Sequence, residues 1–425
     1  MLGSLVAAFK LPDLRKRILF VFGMFGIFVI GLHIPVPGVD RQAMEELFRD
    51  QSLLSLLNVF SGGALKRYAI FAMGIAPYIN ASIIMQLLTV AIPSLEALAK
   101  EGEQGRKKIS QYTRYLTGVL AAFQAVGVNK LLMSQGVLEA NTFRFLQIVI
   151  TLTAGTAFLM WMGEQITDKG IGNGVSLVIF AGIVATLPPQ ILNTYSLVIG
   201  GAYAMPRIFL LVLLLLGTVV GIVAIQQAQR KIPIQHVKRV VGHKVYGGSS
   251  SFLPLRVNSA GVIPIIFALA IQMLPQTIAS FAGTGTFGVA FRNLADKFSP
   301  GASPWAAVAY GGVIIFFTYF YTAVTFNVTE VADNLKKYGS FIPGIRPGRP
   351  TLEYLDRVMT RITLAGAVFL ATIALMQYWV PQLTGVQTFW LVGGTSLLIV
   401  VGVALETMQG IEAHLLMRHY EGFIK

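Results

Sequence analysis

"GIAPYINASIIMQLL" (74–88) is apolar enough to lie in a membrane, yet a proline stands near its start and an asparagine and a glutamine lie inside it. Just upstream, "SGGALKRYAIF" (61–71) places two glycines and two cations among apolar residues, a pattern that fits neither a loop nor a span. Proline lacks a backbone donor and frees a carbonyl, which is tolerated in hydrocarbon only where protein or a water-filled cavity supplies a partner. Buried amides carry a similar cost. A broken apolar helix bearing polar groups therefore points to a protein interior or an aqueous path rather than to lipid alone.

The rest of the chain sets that segment in a membrane. Hydrophobic residues make up 55% of 425 and charged residues only 12%, and the mean hydropathy is +0.68. Soluble domains carry about twice that charged fraction. Ten apolar segments are expected to span: 18–34, 68–92, 115–133, 145–162, 175–187, 208–225, 259–279, 305–326, 362–380 and 388–405. With the N-terminus inside, the cytoplasmic stretches hold 24 of the 33 Lys and Arg residues, which places both termini in the cytoplasm. The start of the chain has its charges after a short, weak apolar run, so a cleavable signal peptide is not expected.

Ten spans divide into five and five near residue 200, and an odd number per half turns the second half upside down relative to the first. The expected units are 1–195 and 196–425. Pro77 interrupts the second span, and Pro264 and Pro275 interrupt the seventh, its counterpart. A kink without function is common in membrane helices, but two broken helices in corresponding positions are harder to dismiss. Two long basic stretches, 226–258 and 327–361, carry six Lys/Arg each. Such loops ordinarily follow topology; their length and charge also suit an acidic partner, an RNA or phospholipid headgroups. Alternating apolar residues early in 226–258 predict a small hairpin.

Catalytic chemistry is hard to find. There is no cysteine, and none of the five histidines lies in a metal-protease pattern. "GIGNG" (170–174) lacks the Lys-Ser/Thr of a phosphate loop and reads as a tight turn or helix start. No cofactor or metal site is expected. Glu164, Glu330 and Glu406 fall at span ends, so no intramembrane relay for an ion-coupled transporter is visible. The spans carry isoleucines at helical spacing instead: Ile75, Ile79 and Ile83; Ile179 and Ile183; and single residues Ile266 and Ile399. Each alone is ordinary packing. Asn80 and Gln86 on the second span, with Asn258 and Gln272 assigned to the seventh, could face one another across a seam, although interhelical amides are also common glue.

At this point six blocks resemble one family. "SGGALKRYAIFAMGIAPYINASIIMQLL", "KEGEQGRKKISQYTRY", "GEQITDKGIGNGVSL", "NSAGVIPIIFA", "ADNLKKYGSFIPGIRPGRPT" and "GGTSLLIVVGVALETM" are similar to the bacterial SecY protein-translocase channels, over essentially the whole chain. The resemblance implies an all-α membrane protein of ten transmembrane helices in two inverted, pseudo-symmetric halves. It implies a re-entrant plug helix near 61–71 (Ser61, Gly62, Gly63, Ala64, Leu65, Lys66, Arg67). It implies a pore ring of Ile75, Ile79, Ile179, Ile183, Ile266 and Ile399, and a lateral gate between the second and seventh spans bearing Asn80, Gln86, Asn258 and Gln272. Arg346 matches a critical loop arginine of the family, with Lys238, Arg239, Lys244 and Arg349 as neighbours in docking. Implied partners are the SecE and SecG subunits, the SecA ATPase, the ribosome through rRNA, signal sequences, nascent polypeptides and lipids, in the bacterial plasma membrane. The competing readings are a secondary transporter with inverted repeats, a membrane-embedded enzyme and a scaffold. The first two lack their intramembrane ionisable or metal-binding groups, and a scaffold does not require broken helices.

Overall fold

The computed structural model describes residues 8–39, 44, 58, 61–134, 136–138, 141–201, 203–236, 239–241, 244–246, 250–282, 286–298, 303–386 and 394–421. In chain order the helices are α1 (Pro12–Gly31), α2 (Ala64–Arg67), α3 (Ala76–Ala91), α4 (Pro93–Lys100), α5 (Glu103–Ser134), α6 (Thr142–Lys169) and α7 (Gly174–Ile199). They continue with α8 (Met205–Gln227), α9 (Ile263–Ala282), α10 (Thr286–Phe298), α11 (Pro304–Thr325), α12 (Val328–Lys337), α13 (Arg349–Thr384) and α14 (Thr395–Glu421). Five short strands, β1 (Gln229–His236), β2 (Arg239–Val241), β3 (Lys244–Tyr246), β4 (Ser250–Arg256) and β5 (Ser340–Phe341), lie between α8 and α13.

Each expected apolar segment falls on a helix as far as it is described. By length and apolarity α6, α7, α8, α11, α13 and α14 qualify as spans, and the pair α3–α4, bent by 100°, adds a seventh. α1, α5 and α9 do not meet that measure. In α5 the polar run through Gln124, Asn129 and Lys130 lowers the hydropathy of a helix that is 32 residues long.

Two expectations about proline change. Pro77 does not interrupt a helix, because α3 begins at Ala76 and Pro77 occupies its first turn. Pro264 likewise stands at the second residue of α9, leaving Pro275 as the internal proline there. The first turn of a helix has no acceptor for that N–H, so proline fits without loss. Conversely, α7 runs straight past Pro188 and Pro189 to Ile199, twelve residues beyond the expected end at 187. Its start is as read: Gly172 adopts φ +82°, and the Asn173 side chain accepts from the N–H groups of Val175 and Ser176.

The helices sort into two packed groups. α3 packs on α5, α5 on α6, and α6 on α7 and α1; in the other group α13 packs on α11, α8 and α12, and α9 on α11 and α10. Across the groups the principal contacts are α7 with α14 and α5 with α9. The predicted hairpin is present as β1 and β4, antiparallel from Gln229–Arg256 to Gln235–Ser250. β5 then adds to the free edge of β1, so residues from both long basic loops share one three-stranded sheet, β4-β1-β5. The Ser340 hydroxyl lies 2.7 Å from His236 Nδ1 across that edge.

Candidate functional site

Between α2 and α3 the chain turns back on itself, and three glycines make room for it. A Cβ on Gly155 of α6 would stand 2.1 Å from the Ile70 carbonyl oxygen, and one on Gly31 of α1 would meet the Phe71 ring at 2.0 Å. Gly62, at φ +68°, lies against the Gly182 backbone of α7. Phe71 is stacked between Phe28 and Phe158, with ring centroids 6.0 and 5.9 Å apart. The backbone of the segment bonds to the strand-like stretch after α1, Val36 N to Tyr68 O at 2.9 Å and Ile70 N to Ile34 O at 3.0 Å.

All seven expected plug residues lie in this turn. Ser61, Gly62, Ala64 and Leu65 are buried, whereas Lys66 and Arg67 are exposed. Ser61 Oγ accepts from Leu65 N and donates to Asn58 O. Tyr68, the only non-glycine residue at positive φ among the described residues (+47°), is 1% exposed and donates its hydroxyl to Asn129 of α5. The Arg67 guanidinium lies against His33 Nε2, and His33 Nδ1 lies 2.9 Å from the Val29 carbonyl oxygen. Sequence reading missed Tyr68, Asn129 and His33; the left-handed Tyr68 has no signature of its own, and its partner is 61 positions away.

Directly beyond the turn, one apolar cluster draws on α1, α3, α6, α7, α9, α11, α13 and α14. Ile75, Ile179, Ile183 and Ile399 are buried in it and Ile79 packs against it. The sixth expected isoleucine differs. Ile266 is half-buried and is not among the residues of this cluster; its neighbour Ile265, fully buried, is. Adjacent helical residues point about 100° apart, so the register of α9 turns Ile265 inward here.

None of the four amides hydrogen-bonds another. Gln86 is exposed and Asn80 half-buried. Asn258 precedes α9 instead of lying on it; it abuts Gly366 of α13, and both its amide atoms are buried without a partner. Gln272 hydrogen-bonds Tyr378 of α13, within its own helix group. From the other group, α5 packs on α9. An unexpected ion pair ties this side: Arg114 Nε of α5 lies 2.6 Å from Glu164 Oε1 of α6.

Of the expected docking residues, Arg346 and Arg349 are exposed, in a turn with Gly344 at φ +81° and Gly348 at φ +101°. Thr351 Oγ1 donates to Arg346 O at 2.9 Å, and Arg349 pairs with Glu353 at 3.2 Å. Arg239 and Lys244 sit on the β2–β3 hairpin; Lys238 lies outside the described residues.

A largely helical fold with several helices long and apolar enough to cross a membrane, and a turn at 61–75 seated on their shared apolar core, defines a polytopic membrane protein. Two solved structures share the fold. One, described as "The plug domain of the SecY protein stablizes the closed state of the translocation channel and maintains a membrane seal", aligns with a TM-score of 0.64 at 18% identity, covering 94% of this chain and 92% of that one. The other, canine Sec61 in a ribosome-channel complex, gives 0.62 at 15% identity over 96% of each. Residues 69–408 match the SecY family, and the protein translocase subunit SecY of Thermotoga maritima is 47% identical over 98% of this chain and 96% of its own length. The chain belongs to the SecY family.

Proposed function

We propose that this protein is the pore-forming subunit of a protein translocase, passing unfolded polypeptides across the membrane and releasing hydrophobic segments sideways into it. The observation that carries the reading is the turn at 61–75, clasped by three helices and resting on the isoleucine-rich cluster. A narrow ring of branched apolar side chains excludes water, so ions meet a barrier without a charged filter. Flexible side chains can part around a polypeptide and close against it. A segment rich in Leu, Ile, Phe or Val leaves through an opened seam because lipid favours each such residue by about 0.3–0.6 kcal/mol.

In this reading Ile75, Ile79, Ile179, Ile183, Ile266 and Ile399 line the constriction, 61–67 is its plug, and the inverted halves 1–195 and 196–425 part at the gate. The packing of α5 on α9 favours a gate whose first-half edge includes α5 as well as α3. The shared sheet of the two basic loops, with Arg346 at its exposed rim, would receive a SecA-type motor or a ribosome, the partner named for the canine relative. SecE and SecG subunits and a bacterial plasma membrane with both termini cytoplasmic complete the assignment.

The chain has no cysteine, which makes the test clean. A cysteine is placed at Ile79, and a secretory chain with a single cysteine is stalled in transit and oxidised. The expected result is a crosslink at Ile79 and none at Leu213, which is 57% exposed on the outer face of α8. No crosslink at Ile79 while small solutes still cross would overturn the channel reading in favour of a transporter.

A further inference from the structure

We infer that the groove between the end of α8 and the start of α13 is a binding site for the phosphate of an anionic phospholipid. Arg357 and Arg361 lie one turn apart on α13, and Arg230 reaches the same cavity from β1, immediately after α8. The cavity, about 440 Å³, is walled by these guanidiniums and by apolar Val257, Ile362 and Ala365. No carboxylate among the described residues lines it. Glu353 and Asp356 line an adjoining cavity on the other side of Arg357 and Arg361, and Glu353 is paired with Arg349. Among the described residues none of the three arginines has a hydrogen-bond or ion-pair partner from the protein.

What selects a lipid over a soluble anion is the continuation of the same helical stripe. Arg357, Arg361, Leu364 and Val368 recur at spacings of four, three and four residues, which places them on one face of α13. Leu364 is 50% and Val368 49% exposed, on a helix apolar and long enough to cross the membrane. On α8 alongside, Val220 is 67% exposed, and Gly221 lies against Phe369, the residue after Val368. Two cations thus sit at the mouth of an apolar track, about 6 Å apart along the axis. A phosphodiester fits the guanidinium forks, and the glycerol and acyl chain continue down the track. Free phosphate has no use for the track.

The test uses the full chain in nanodiscs containing phosphatidylglycerol and phosphatidylethanolamine. It is released for native mass spectrometry beside two charge-matched variants, Arg357→Gln/Arg361→Gln and Lys336→Gln/Lys337→Gln. The second pair is exposed on α12 and outside the groove. Retained phosphatidylglycerol is expected to fall about fivefold for each guanidinium removed in the first variant, and to stay at the level of the unaltered chain in the second. Equal retention by the two variants overturns the site. Displacement of the lipid by millimolar inorganic phosphate overturns the lipid assignment and gives the groove to a soluble anion. Retention of phosphatidylethanolamine in place of phosphatidylglycerol shows an apolar track alone and overturns it too.

Discussion

Tyr68 holds an unfavourable backbone conformation and makes one buried side-chain hydrogen bond, to Asn129. A left-handed non-glycine residue costs about 1–2 kcal/mol, so surrounding contacts must hold it there. Tyr68→Phe keeps the ring and removes the hydroxyl, leaving the Asn129 side chain, whose Nδ2 already lacks a partner, with no bond at all. We expect a loss of about 1–3 kcal/mol, read as a lower midpoint of thermal unfolding in detergent, with Asn129→Leu in the Tyr68→Phe background recovering part of it. Gly155→Ala is expected to cost about as much or more, about 1–3 kcal/mol. The atom in its way is a backbone oxygen that cannot rotate aside, so Gly118→Ala, with open space around it, serves as the control. Helical spacing singled out Ile75 and Ile79, and Ile179 and Ile183, whereas Ile266 and Ile399 were named for the ring by the resemblance alone. Tyr68, Asn129 and Gly155 were not legible, because each acts through a neighbour remote in sequence.

Apolarity located the helices but not their lengths: α5 begins twelve residues before the expected 115, α13 thirteen before 362, and α14 ends sixteen past 405. Sequence alone predicts a break at Pro77 and an end of the fifth span at 187, just before Pro188 and Pro189. In the first turn proline loses nothing, and α7 carries its proline pair through a span dominated by apolar residues. Pro77→Ala should therefore change stability by less than about 1 kcal/mol, measured by the same unfolding assay. The joined sheet was legible in part: the β1–β4 hairpin follows from alternation, but β5 is two residues long and arrives from 104 positions away. His236→Ala removes its side-chain tie to Ser340 while leaving the ladder bonds. The expected outcome is faster hydrogen exchange at Ser340 and Phe341 with unchanged exchange in β4.

For the whole molecule, the membrane class was readable from composition and hydropathy, whereas the pairing of remote helices was not. Asn258 precedes α9 instead of lying on it, and the four amides make no bonds to one another, neither of which a local pattern announces. The seal tests the assembled channel. With the isoleucine cluster intact, purified protein in a planar bilayer should conduct no ions. Ile183→Ser together with Ile399→Ser should admit water and give a measurable conductance, and a silent double variant that still folds would remove these two residues from the constriction. The glycine clasp around residues 61–75 has a consequence for how the protein is made. The segment leaves the ribosome well before Gly155 and Gly182, the surfaces that receive it, and the second of these lies more than a hundred residues downstream. At a synthesis rate of about 5–20 residues per second that interval lasts roughly 5–20 seconds. Throughout it, the future closure has no seat, so a newborn copy waits unsealed until its own fifth long helix is complete.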